Sequence, residues 1–187
     1  MDKNLRDYVK VYNNHIDKDT CETTLRELKF ATWQQHYFDS TDSKRTALSG
    51  NDELSISWNK LTTSKALMKC VWDGLEQYVL KDCQFSWHTG WEGFTEIRFN
   101  RYSANKKMAE HCDHIVINEG TRKGIPVLSF VGVLNDDYEG GEFIMFQDEV
   151  IELKQGDLMI FPSVFLYPHR VEPVTKGVRN TFVSWSW

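Results

Sequence analysis

Hydrophobic residues change their spacing partway along the chain. Before about residue 90 they recur at helical intervals, and from residue 93 onward they recur at every second position. The stretch from about Thr63 to Lys81 sets Ala66, Leu67, Cys70, Val71, Leu75, Tyr78 and Val79 on one side of a helix. Packing against a sheet explains such a stripe better than any cofactor role. Asp19, followed three residues later by Glu22, resembles a capping box and predicts a helix carrying Leu25 and Leu28. Ser, Thr, Asp and Gly dominate between Phe38 and Asn51, which predicts a loop.

The second half reads as strands. From Phe94 to Tyr102 the chain alternates, with Ile97 and Phe99 on one side and Arg98, Asn100 and Tyr102 on the other. Residues 127–134 form a continuous apolar run, as expected of a strand covered on both faces. Further short strands are predicted over 142–146, 150–153, 157–161 and 178–187, separated by turn residues such as Gly140-Gly141 and Gly156-Asp157. Helices followed by many short strands predict an α+β protein, mainly β in its core, with helices buttressing a sandwich or barrel. At 187 residues, with no repeat or linker, a single domain over 1–187 is expected: a helix-rich supporting region over 1–90 and a core over 91–187.

Composition narrows the function classes. The net charge of -5 and the scattered Lys and Arg argue against nucleic acid as the main partner. No run approaches 18 apolar residues and the first residues carry no apolar signal core, so neither a membrane span nor secretion is expected. Cys21, Cys70, Cys83 and Cys112 contain no CxxC pair, and read as reduced thiols of a cytoplasmic protein.

Three segments carry candidate chemistry. In His111-Cys112-Asp113, residues two apart on a strand point the same way, so His111 and Asp113 converge while Cys112 turns aside. An imidazole and a carboxylate suit a first-row divalent metal, and a second His completes a two-His, one-carboxylate set with an open face. HxD alone is weak; two solvated residues at a strand end would look the same. His114 must point to the opposite face, as a supporting or surface residue. His169 follows an apolar strand, and ten residues later Arg179 opens the last strand with Thr181, Val183 and Trp185 on its own face. A lone Arg at a strand start is usually a surface charge, but an inward one between Thr and Trp suits a carboxylate. Tyr102 lies on the polar face of the strand before His111, where its phenol reaches the same pocket or, alternatively, serves as a core tyrosine.

Together these residues resemble the prolyl 4-hydroxylase-like branch of the Fe(II)/2-oxoglutarate-dependent oxygenase superfamily. The resemblance covers residues 91–187: Arg101-Tyr102 before His111-Cys112-Asp113, the apolar strand ending in Leu134-Asn135-Asp136, Tyr138-Glu139-Gly140-Gly141-Glu142-Phe143, the run from Gly156 to Pro162, and the close His169-Arg170-Val171, Pro173-Val174, Gly177-Val178-Arg179. It implies a double-stranded β-helix (a jelly-roll, cupin-like barrel) with helices on one sheet. By position it implies His111, Asp113 and His169 as iron ligands, and Arg179 as the partner of the distal carboxylate of 2-oxoglutarate, assisted by Tyr102 and Thr181. Trp185 is implied as part of the wall. Fe(II), 2-oxoglutarate and O2 are the implied cofactor and cosubstrates, with ascorbate as an accessory reductant. Oxidative decarboxylation to succinate would be coupled to hydroxylation of a protein or peptide, a prolyl side chain first.

Two features depart from the pattern: collagen-type members usually have Lys where Arg179 stands, and the glycine often found after the Tyr is missing in Tyr102-Ser103-Ala104-Asn105. Residues 115–124 are expected as a loop beside the pocket, suited to substrate choice. Hydroxylation of a free amino acid or other metabolite is the alternative activity, and a non-catalytic jelly-roll metal module the bland one. Asp113 argues against halogenation, and the ligand set is unlike a closed, Cys-rich zinc site.

Overall fold

A computed structural model describes residues 4–39, 45–46, 52–84, 93–114, 117–119 and 122–187. In chain order the elements are β1 (Lys10–Tyr12), α1 (Lys18–Leu28), β2 (Gln34–Gln35), β3 (Phe38–Asp39), β4 (Arg45–Thr46), β5 (Ser55–Ser57) and α2 (Ser64–Glu76). The second half supplies β6 (Arg98–Tyr102), β7 (Met108–His111), β8 (Ile117–Glu119), β9 (Arg122–Gly124), β10 (Leu128–Val133), β11 (Glu139–Gly140) and β12 (Phe143–Met145). It ends with β13 (Glu149–Ile151), β14 (Leu158–Pro162), β15 (His169–Val171), β16 (Val174–Lys176) and β17 (Arg179–Ser186).

Seven strands form a major sheet in the order β1-β14-β10-β17-β6-β5-β2, and four form a minor sheet in the order β13-β12-β15-β7. Among the described strands every pairing is antiparallel. Two sheets are what the strand pattern predicts, and their order is the jelly-roll that the resemblance implies. The first third of the chain does more than buttress: β1, β2 and β5 are strands of the major sheet itself.

Alternation along the central strands builds two cores from one sheet. Leu128, Phe130, Phe99, Phe182, Leu158 and Ile160 face the helices, where Leu67, Val71, Leu75, Tyr78, Cys21 and Leu28 cover them. Their neighbours Val131, Met159, Phe161, Val183, Trp185 and Tyr102 face the minor sheet and meet Phe143, Met145 and Val171. Gly132 leaves the room that the Phe182 ring occupies: a Cβ there would lie 2.1 Å from Phe182 Cε1.

The predicted helices form, with shifted detail. The cap of α1 is Asp17, whose carboxylate accepts from Thr20 N–H at 2.8 Å, and Asp19 sits in the first turn. Asp17 wins because its backbone is extended, which lets the side chain fold back over the free N–H groups. On α2, Ala66 is exposed, and the buried stripe includes Gly74 instead. A Cβ on Gly74 would stand 2.6 Å from Leu158 Cδ2, so the missing side chain brings the helix close to β14. The helix runs on as a π-helical turn over Gln77–Cys83 and stops at Gln84, whose backbone is left-handed. Within the expected 38–51 loop, Phe38–Asp39 pairs with Arg45–Thr46, and within 115–124 a ribbon joins β8 to β9. The rest of both segments lies outside the described residues. Among the described residues no helix is long and apolar enough to cross a membrane.

Candidate active site

The two histidines meet because of strand register. His111 ends β7 and His169 begins β15, and the two are directly opposed in the minor sheet. Side chains opposed in this way share a face, and the rings lie 4.3 Å apart between centroids. Asp113 falls just past the end of β7, in a bend, rather than on the strand as expected. The convergence holds nonetheless. Asp113 Oδ1 is 3.5 Å from His111 Nε2 and 3.9 Å from His169 Nε2, and one donor atom from each residue fits within 4.8 Å of the others.

The surroundings assign a role to each atom. His111 Nδ1 donates to the Ala109 carbonyl at 2.8 Å, and His169 Nδ1 donates to the Tyr167 carbonyl at 3.0 Å. With the proton held on Nδ1, each Nε2 presents a lone pair to the centre. Asp113 Oδ2 accepts from Ser129 Oγ at 2.6 Å and from Trp185 Nε1 at 3.0 Å, which leaves Oδ1 turned to the histidines. Ser163 Oγ backs Ser129 at 2.7 Å. Phe143 stacks on the His169 ring at 5.2 Å and Phe161 meets it edge-on at 5.1 Å, so the ring has little freedom.

Electrostatics favour the metal-ready forms. Burial, reinforced by the neighbouring His111, pushes the His169 pKa down to about 4, so this imidazole is neutral at neutral pH. Burial alone would raise the Asp113 pKa, but the two adjacent imidazoles and the hydrogen bond from Ser129 hold it well below the usual carboxylate range. Asp113 is therefore an anion beside the neutral His169 imidazole. A divalent cation suits that set.

The rest of the pocket lies along β17 and β6. Arg179, Thr181, Val183 and Trp185 line it by alternation, opposite Tyr102, Asn100 and Arg98 in register. The pocket opens to solvent, and the space among these side chains is ≈ 340 Å³ with that open solvent counted. Arg179 is 1% exposed, its guanidinium 5.0 Å from the centre of the Tyr102 ring, and its Nε has no hydrogen-bond partner. Thr181 Oγ1 is also buried without a partner. A buried guanidinium and hydroxyl left this way are costly unless a ligand satisfies them. A carboxylate does so best, because its two oxygens match the planar fork of Arg. Tyr102 takes a different part from the one its position suggests. Its hydroxyl turns to Met108 Sδ at 3.7 Å, and its ring face, rather than its O–H, seats Arg179. His114 is exposed and its ring touches Phe165, in keeping with a surface position.

The structure thus brings all seven expected side chains to one pocket. Asn100 and Arg98 also line it, and Ser129 supports it through Asp113. Ser129 sits in an apolar run with nothing local to mark it, and its partner lies 16 residues away. Asn100 and Arg98 carried a signal, since they share the polar side of β6 with Tyr102.

The model of the 2OG-Fe(II) oxygenase superfamily matches residues 97–187. A PKHD-type hydroxylase of Idiomarina loihiensis is 28% identical over 182 residues, which cover 92% of this chain and 74% of that protein. A PKHD-type hydroxylase of Stenotrophomonas maltophilia is 38% identical over 95 residues, 47% of this chain and 41% of its own length. Among solved structures, a prolyl hydroxylase of Trichoplax adhaerens, in complex with a hypoxia inducible factor peptide fragment, superposes with a TM-score of 0.73 at 15% identity, covering 97% of this chain and 84% of that one. A prolyl-4-hydroxylase of Pseudomonas putida gives 0.65 at 19% identity, covering 96% and 91%. These likenesses define the fold as the double-stranded β-helix of the prolyl hydroxylases. Residues 97–187, about half of the chain, match the 2OG-Fe(II) oxygenase superfamily, and the fold is like that of the prolyl hydroxylases. Fe(II) is that family's metal, and 2-oxoglutarate and O2 its cosubstrates. The site fits them: a two-His, one-carboxylate donor set for the ion, and orphaned Arg179 and Thr181 atoms for a distal carboxylate.

Proposed function

We propose that this chain hydroxylates a protein or peptide substrate, with a prolyl side chain the first to test, in a reaction coupled to conversion of 2-oxoglutarate to succinate. The observation that carries the reading is the pairing, in one pocket, of the His111–Asp113–His169 cluster with the unsatisfied Arg179 Nε. His111, Asp113 and His169 hold the iron. When bound there, Fe(II) with 2-oxoglutarate and O2 supplies the oxidising power for C–H hydroxylation, the cosubstrate leaving as succinate and CO2. The protein positions and shields. Arg179 grips the distal carboxylate with Thr181 beside it, and Tyr102 fixes the guanidinium from below through its ring. Ser129 and Trp185 fix the rotation of Asp113. Phe143, Phe161 and Trp185 keep water from the centre.

A polypeptide substrate is supported by the rim. Exposed Phe165 and Leu166 stand beside His114, the residue after Asp113, and offer an apolar bank next to the metal end. The peptide seen with the Trichoplax neighbour and the PKHD-type names of the relatives point the same way. The reading takes residues 1–187 as one functional unit, supported by β1, β2 and β5 completing the major sheet. A free amino acid is the second reading, favoured by how deeply Asp113, His169 and Arg179 are enclosed. The test is incubation with Fe(II), 2-oxoglutarate and proline-containing peptides. Succinate release together with a gain of one oxygen on the peptide is expected. Succinate release with peptides inert and free proline oxidised would move the assignment to the second reading. No release with either would overturn it.

A further inference from the structure

The three metal-ligating side chains all lie in the second half of the chain, yet His111 is held from behind by the first third. β7, which ends at His111, is an edge strand of the minor sheet, paired through β15 on one side. Its other edge is met by the segment that leads into β5. There Glu53 forms a parallel bridge with Lys107. The Lys107 N–H donates to the Asp52 carbonyl at 2.8 Å, and the Leu54 N–H donates to the Lys107 carbonyl at 3.1 Å. The next bond of a parallel ladder would run from the Ala109 N–H to the Leu54 carbonyl. That carbonyl instead accepts from the His36 N–H at 3.0 Å. A side chain continues the ladder: Glu53 Oε1 accepts from the Ala109 N–H at 3.2 Å.

Ala109 is the residue whose carbonyl accepts from His111 Nδ1 at 2.8 Å. Glu53 thus fixes the amide end of the residue whose carbonyl end fixes the imidazole. The ring itself is also braced from the first third of the chain. Phe38 meets it edge-on at 5.3 Å, and His36 meets Phe38 edge-on at 4.6 Å, with His36 Nδ1 3.7 Å from Glu53 Oε2. Glu53 is 1% exposed. Burying a carboxylate is costly unless its hydrogen bonds are used, and here one of them is used where an edge strand delivers a metal ligand. Without that bond the last residues of β7 would be held from one side only, and strand ends held in this way open locally.

We propose that Glu53 is a positioning residue for His111, acting through Ala109, so that a residue outside the 97–187 match completes the metal site. This rests on the reading of His111, Asp113 and His169 as metal ligands. The reach of the side chain, rather than its charge, is what the role requires.

Two variants separate reach from charge in the full chain. Glu53→Asp keeps the charge but is one methylene too short for the Ala109 N–H, whereas Glu53→Gln keeps an oxygen at the right distance and loses the charge. Co(II) alone is the probe. Its affinity is read by absorbance titration, and its visible spectrum reports the ligand field that an imidazole contributes. Glu53→Asp should bind Co(II) roughly tenfold or more weakly, as loss of a group that orients a ligand does, with an altered spectrum. Glu53→Gln should restore the wild-type spectrum and bind within about threefold of wild type. Equal affinity and spectra in the two variants would overturn the proposal, and so would weaker binding by Glu53→Gln than by Glu53→Asp, which would make charge the cause. A thermal melt of each metal-free variant accompanies the titration. Loss of the cooperative melt in either variant would assign Glu53 to the fold and overturn the proposal as well. A wild-type chain that takes up no Co(II) would overturn the metal reading itself, whereas wild-type binding with indifferent variants would overturn only the role of Glu53.

Discussion

The two faces of the major sheet are made by alternate residues of the same strands, yet one is a conventional core and the other a reactive cavity. On the helix-covered face, Phe99, Phe130 and Phe182 are fully buried among aliphatic side chains. One residue along each strand, the opposite face buries Asn100, Ser129, Thr181 and Arg179. Stability comes from the first face, and the second spends some of it. A sheet can hold unsatisfied polar atoms on one side only if the other side is well packed. Function here depends on that division.

The division can be tested by substitutions on each face, from the largest effect to the smallest. His169→Ala should abolish iron-dependent succinate release while the protein stays folded, read by activity alongside a thermal melt. Phe182→Ala, on the helix face, should cost about 3–5 kcal/mol of stability, measured by denaturant unfolding, with metal affinity unchanged in the fraction that remains folded. Arg179→Ala should do the reverse. Removing a buried charge without a partner should leave the ligand-free protein as stable as before or more so, while 2-oxoglutarate binding weakens by about 2 kcal/mol or more. If Arg179→Ala instead unfolded the protein, Arg179 would be structural and the two-face account would be wrong. Trp185→Phe keeps the ring but removes the donor to Asp113, and should weaken metal binding by roughly tenfold or more.

The smallest effect is far from both faces. Hydrogen bonds from the Thr20 hydroxyl and backbone N–H hold the Asp17 carboxyl below its ordinary pKa. Its capping contribution is then fully present above the unfolded-state value and is lost as pH falls through the folded one. Asp17→Ala should therefore lower the melting temperature slightly at neutral pH, and the difference from wild type should disappear in acid.

Much of this was legible in the sequence, and the misses have physical causes. The alternation Arg179, Thr181, Val183, Trp185 survives intact because β17 is a central strand, paired with β6 at its start, with β10 toward its end and with both at Thr181, Phe182 and Val183. Arg98, Asn100 and Tyr102 were readable as one face for the same reason. The position of Asp113 was not, because β7 is an edge strand whose pairing stops at His111. The support that Ser129 gives Asp113 spans two sheets and leaves no local trace. The part taken by the Tyr102 ring, as a seat for a cation, depends on where the Arg179 guanidinium lies, and alternation fixes only the face. Ala66 and Gly74 exchanged places on α2 because the close approach to Leu158 favours the residue without a side chain.

The central claim is that the metal cluster and Arg179 form one binding site for 2-oxoglutarate. Calorimetric titration of 2-oxoglutarate into the protein, with and without Mn(II), tests it most directly when repeated on His169→Ala and Arg179→Ala. The account predicts tight binding of one 2-oxoglutarate only when Mn(II) is present, lost in the first variant and strongly weakened in the second. Binding that is indifferent to Mn(II), or unchanged in both variants, would contradict it.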